Sequence, residues 1–221
     1  MCPKYGGSAV LVLLMHFFGE TAASAQDQRP TVIVYVYNNA NAPESIMAKT
    51  GGYVREMFQK AGIELVWLDS MARLRSGQAD SLATAHGAGT AVHVSVVIVP
   101  RPDVIAPEIR NLEGRIGWTP GGQQTRTYVF YQRVEAFVLN NFGRIDTLRV
   151  PRLLTYAITH ELGHLLLPVA DAHSKKGIMK AQLDGNDLTE LFSGSLGFSS
   201  KEAELMGNEI QRRSRLEQTV H

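Results

Sequence analysis

Between Pro151 and Pro168 the chain sets His160, Glu161 and His164 in a largely apolar helical pattern. Pro151 can open a helix at its first position. Leu153, Leu154, Ala157, Ile158, Leu162, Leu165 and Leu166 then recur at helical spacing, and Pro168 ends the run. So wide an apolar stripe predicts a mostly buried helix with the histidines near its C-terminal end. Ionisable groups on a buried helix need partners. The fold must therefore enclose this segment and supply something for the three groups to bind.

Two histidines four residues apart lie on one helical face, so both imidazoles can reach a single ion. Glu161 points off that face, toward where an activated water would sit. This is the H-E-x-x-H logic of a zinc hydrolase. Chance gives the pattern in roughly one such chain in a hundred, so its helical context carries the argument. Catalytic zinc usually takes three protein ligands and keeps one position for water. His173 is the best candidate for the third, because it follows a proline turn that can fold the chain back under the helix end. Asp171 is the runner-up, since a carboxylate also binds zinc. A second enzymatic reading, a gluzincin-like zinc hydrolase, takes Glu190 as the third ligand. A third reading is a non-catalytic zinc-bearing extracellular binding protein. Structural zinc sites close with four ligands and need no glutamate base, so Glu161 favours catalysis.

His160-Glu161-x-x-His164, the later His173-Ser174 and then Gly177-Ile178-Met179 resemble the metzincin clan of zinc peptidases. The resemblance implies a third histidine ligand after the helix and a methionine-containing turn beneath the metal, with Met179 as that methionine. The usual spacing of that clan continues with glycine and then histidine at positions held here by Leu167 and Ala170, so His173 comes three residues late. No tyrosine follows Met179 closely, so the tyrosine ligand of some metzincins has no counterpart. The resemblance further implies that substrate peptide adds as a strand to a sheet edge above the cleft. By position that edge is Arg115 to Thr119, with Gly117 and Trp118 at its centre. The implied activity is that of a zinc metalloendopeptidase. His160, His164 and His173 hold one Zn2+ as neutral imidazoles, and Glu161 takes a proton from water and passes it to the leaving amine.

Residues 1–25 read as a secretory signal peptide. Lys4 gives a positive start, Ala9 to Phe18 is an apolar core too short to span a bilayer, and Ala23-Ser24-Ala25 is a small-x-small cleavage site. The expected location is secreted or periplasmic, with no membrane attachment after cleavage. The single cysteine, Cys2, would leave with the signal, so stability must come from a packed core. Residues 26–221 are enough for one domain, with an N-terminal subdomain over about 30–167 and a C-terminal one over about 168–221. Net charge is +1 with no basic run, which gives nucleic-acid binding no electrostatic support. The expected partner is a peptide or protein substrate.

The expected class is α+β, a twisted mixed sheet with a β-α-β opening, an active-site helix and a C-terminal helix. Thr31 to Tyr37 reads as a buried strand, Pro43 to Ala61 as a helix, and Ile63 to Leu68 as a second strand. Ser70 to Thr90 reads as a loop with a short helix, and His93 to Val99 as a third strand. Pro100 to Gly114 is a surface excursion. Short strands are expected at Arg115 to Thr119 and Thr127 to Tyr131, and a helix at Val134 to Phe142. Arg133 and Glu135 stand at a position suited to an ion pair. His93 reads as a satisfied core histidine. Ser199-Ser200-Lys201-Glu202 is a capping box that opens the last helix. No element is assigned around Glu190.

Overall fold

The run of β-branched residues in Thr31–Asn38 forms β1, and it lies inside the sheet rather than at its edge. The computed structural model describes residues 29–70, 91–105, 112–121, 124–168 and 173–219. β2 (Glu64–Asp69) and β3 (Ala91–Val99) flank β1, both parallel to it. β5 (Arg126–Phe130) runs parallel to β3, and β4 (Gly117–Trp118) closes the far edge antiparallel to β5. The order is β2-β1-β3-β5-β4. Among the described residues the chain thus has a five-stranded mixed sheet and five α-helices. Strand period places Val32, Val34 and Val36 in the main core, while Ile33 on the other face packs with Leu68 and Ala91. A strand buried on both faces reads as continuous hydrophobic sequence, which is what TVIVYVY is.

Helix α1 (Glu44–Lys60) links β1 to β2 and buries Ile46, Met47, Val54, Met57 and Phe58. Its Gly51 is a point of close packing: a Cβ there would stand 3.0 Å from the Trp67 indole. Helix α2 (Tyr131–Phe142) begins directly at the end of β5, three residues before the position expected. Arg133 does not serve an ion pair with Glu135. It donates to the carbonyls of Leu112 and Arg115 and so fastens the chain leading into β4.

Helix α3 (Arg149–Leu166) carries the histidines, and nearly all of it is buried. Pro151 is its third residue rather than its first, because Asp146 accepts from the Leu148 and Arg149 amides and starts the helix earlier. A proline costs no hydrogen bond there, since the first four amides of a helix have no partner within it. At the other end Pro168 holds Leu167 extended, with ψ 145°, and the helix stops.

Helix α4 (Gly185–Ser193) falls where no element was assigned. It is short, and its box is Asp184 and Asp187 instead of the Ser/Thr and Glu/Gln form. Helix α5 (Ser200–Thr219) opens on the expected box: Glu202 Oε2 accepts from the Ser199 amide at 2.7 Å, and Ser199 Oγ from the Glu202 amide at 3.3 Å. Leu191, Leu196, Met206 and Ile210 share one core with the strands, α1 and α3, so residues after Pro168 pack onto the same interior. No helix among the described residues is long and apolar enough to cross a membrane. Residues 1–25 and Asp171 lie outside the described residues, as does most of the expected loop at 70–90.

Candidate metal centre

Helical spacing brings His160 and His164 together on α3, with their Nε2 atoms 3.1 Å apart. His173 completes the group from the returning chain. Its ring centroid lies 5.4 Å from that of His160 and 4.8 Å from that of His164. One ligand atom from each of the three histidines falls within 4.8 Å of the others. Two nitrogens bound to a tetrahedral zinc at about 2.0–2.1 Å are themselves roughly 3.3 Å apart. The His160–His164 pair matches that edge, so the slack in the triangle involves His173, which is the exposed member. An all-imidazole set suits zinc and several other first-row cations.

One loop organises this centre. The Ser174 amide donates to the Met179 carbonyl at 2.9 Å, and Ser174 pairs with Lys180 as an isolated bridge. That closes the chain from 174 to 180 and sets His173 at its neck. Ile178 lends its carbonyl to His160 Nδ1 at 2.8 Å. A carbonyl can only accept, so Nδ1 carries the proton and Nε2 offers its lone pair to the centre. The loop is pinned in turn by the Ile178 amide, which donates to the Gly197 carbonyl at 3.0 Å. Met179 is fully buried under α3. A Cβ on Gly163, the residue before His164, would stand 2.3 Å from Met179 Sδ. The glycine inside the histidine pentad is therefore required by the methionine beneath it.

Glu161 is buried, and it faces the edge of the sheet. Thr119 Oγ1 donates to its Oε2 at 2.6 Å. A Cβ on Gly117 would lie 2.6 Å from both Cγ and Oε1 of Glu161. β4 therefore comes up against the carboxylate, and only glycine fits at its first residue. Trp118 pairs across the sheet with Tyr128 and stacks on it at 5.7 Å. Burial pushes the Glu161 carboxyl up to about 7, against the Thr119 hydrogen bond and the Arg115 charge, which both favour the anion. Burial pushes His160 down to about 4; its bond to Ile178 opposes this, and repulsion from His164, His173 and Arg115 adds to it. At neutral pH the centre thus offers a neutral imidazole at His160 beside a carboxyl able both to take up and to release a proton.

Glu190 is not in the histidine group. It sits in α4 and lines a cavity of about 310 Å³ with Lys60, Lys176 and Phe198. His93 accepts or donates a hydrogen bond with the Tyr35 hydroxyl at 3.1 Å and stacks on its ring, away from the three histidines. Sequence reasoning placed Arg115 and Thr119 at the ends of the edge segment but did not connect them, or Thr127, to Glu161, and it missed the Ile178 carbonyl. The first three flank the Gly117-Trp118 pair in sequence or across the sheet, and no residue pattern marks them. The Ile178 carbonyl is a backbone group, which side-chain motifs do not report. Comparison with models of known protein families gives no match, and comparison with curated proteins gives none.

Proposed function

We propose that this chain is a secreted zinc-dependent peptidase with a metzincin-like catalytic domain. The observation that carries the reading is the convergence of three histidines on one point beside a buried glutamate. The sheet order, with a short antiparallel strand at the edge nearest that glutamate, supports it. So does the methionine under the histidine helix. His160, His164 and His173 would hold the ion, and the bound zinc supplies Lewis-acid chemistry to a water and a scissile carbonyl.

The chain's own residues supply the rest. β4 offers its outer backbone edge to an extended peptide, which fixes the peptide's direction by main-chain hydrogen bonds. Gly117 keeps side-chain bulk away from the carboxylate. Glu161 accepts a proton from the attacking water and delivers it to the leaving amine. No side-chain nucleophile is needed. The apolar stretch Ala9 to Phe18, followed by Ala23-Ser24-Ala25, supports export.

The test is metal content and peptide hydrolysis by residues 26–221, with His173→Ala and Glu161→Gln in parallel. The reading expects one zinc per chain, loss of zinc in the first variant, and retained zinc without turnover in the second. A folded, zinc-reconstituted sample that holds no metal would sink it, as would Glu161→Gln cleaving at the wild-type rate.

A further inference from the structure

Glu161 is gripped from one strand on two sides. Gly117 abuts Oε1 and Cγ, and Thr119, one residue past β4, bonds Oε2. The Thr119 hydroxyl has three oxygen neighbours: Glu161 Oε2 at 2.6 Å, Thr127 Oγ1 at 2.8 Å and the Glu161 carbonyl at 3.2 Å. It has one proton to give. The shortest contact is to the carboxylate, in the range of a charge-assisted O–H···O bond, and takes it. Thr127 is fully buried and can direct its own proton to Thr119 or to the Trp118 carbonyl at 3.1 Å. A Thr127→Thr119→Glu161 chain polarises each bond in the same sense.

We propose that Thr119, backed by Thr127, is the positioning residue for the general base: it claims Oε2 and leaves Oε1 as the oxygen that moves the proton. This rests on the peptidase reading above. It adds that the strand offered to the peptide also aims the base, so substrate register and base orientation are set by one piece of backbone. Thr119 itself touches no reacting atom.

The experiment compares Thr119→Val, Thr119→Ser and Thr127→Val in the zinc-loaded chain. A misplaced base predicts that Thr119→Val keeps its zinc and its KM but loses about 10- to 100-fold in kcat. Thr119→Ser, which keeps the hydroxyl and drops the methyl, should return to within about three-fold of wild type, and Thr127→Val should fall between the two. If the serine variant is as impaired as the valine variant, or the valine variant turns over normally, the inference is overturned. A second readout needs no hydrolysis. In zinc-free protein at pH 8, Thr119→Val should lower Tm more when residue 161 is Glu than in a Glu161→Ala background, where only the Thr127 and backbone contacts are lost. Equal losses in both backgrounds overturn the inference whatever the activity. A larger loss in the Glu161 background, in protein that cleaves no peptide, supports the Thr119–Glu161 link and sinks the peptidase reading alone.

Discussion

Glu161→Gln should make the metal-free protein more stable, and only above a definite pH. The carboxyl sits at about 7 in the folded chain against an ordinary value of 4.5, chiefly because it is buried. Between those values the folded state keeps a proton that the unfolded state has lost. Stability therefore falls as pH rises through this window, and the penalty is complete above it. At 1.36 kcal/mol per pH unit the cost is about 3 kcal/mol. Glutamine has the same shape, accepts the same Thr119 hydrogen bond and never ionises. Wild type and variant should match near pH 4 and diverge to a constant gap above pH 7. For a chain of this size that gap corresponds to roughly 6–12 °C in Tm. The assay is urea and thermal unfolding of chelator-treated protein from pH 4 to pH 8.5. A gap of the same size at every pH, or a wild type more stable at pH 8, would refute the assignment of burial as the dominant cause.

Gly163→Ala should cost about 1–3 kcal/mol through overpacking against Met179, and far less in a Met179→Ala background, as measured by denaturant unfolding of both pairs. Gly117→Ala should keep zinc and lose at least about ten-fold in peptide turnover, because its methyl displaces the Glu161 carboxylate; wild-type kcat would show that the close approach is irrelevant to the reaction. Leu162→Ala, at a fully buried site between the two histidines, should lose about 2–5 kcal/mol in the same unfolding assay. Glu209 is held at about 2, first by its hydrogen bonds to Arg212 and then by Arg213. Its contribution should be present above about pH 4.5 and fade as pH falls toward 2, so Glu209→Gln should be less stable by about 1 kcal/mol at pH 6 and equal to wild type at pH 2.

Elements whose formation depends on local pattern were legible in the sequence. β1 and β3 are β-branched runs, α3 has an unbroken apolar stripe between two prolines, and α5 opens on a standard capping box. Helix α4 was not legible, because its Asp184/Asp187 box and nine residues give too little periodicity. The histidines were legible because metal binding demands fixed residue types at fixed spacing. The support for Glu161 was not, because Thr119 and Thr127 meet only once β4 lies against β5. Glycine inside a helix costs propensity, whereas packing against Trp67 gives Gly51 of α1 a use that no propensity scale records.

The closed loop from Ser174 to Lys180 bears on why the third histidine can stand where it does. His173 is tied from its C-terminal side, through the Ser174–Met179 bond, to the same short stretch that holds His160 and fills the space under Gly163. Its location is thus referenced to the underside of the helix. The position of this third histidine is anchored by the chain that follows it, through the same residues that orient the first.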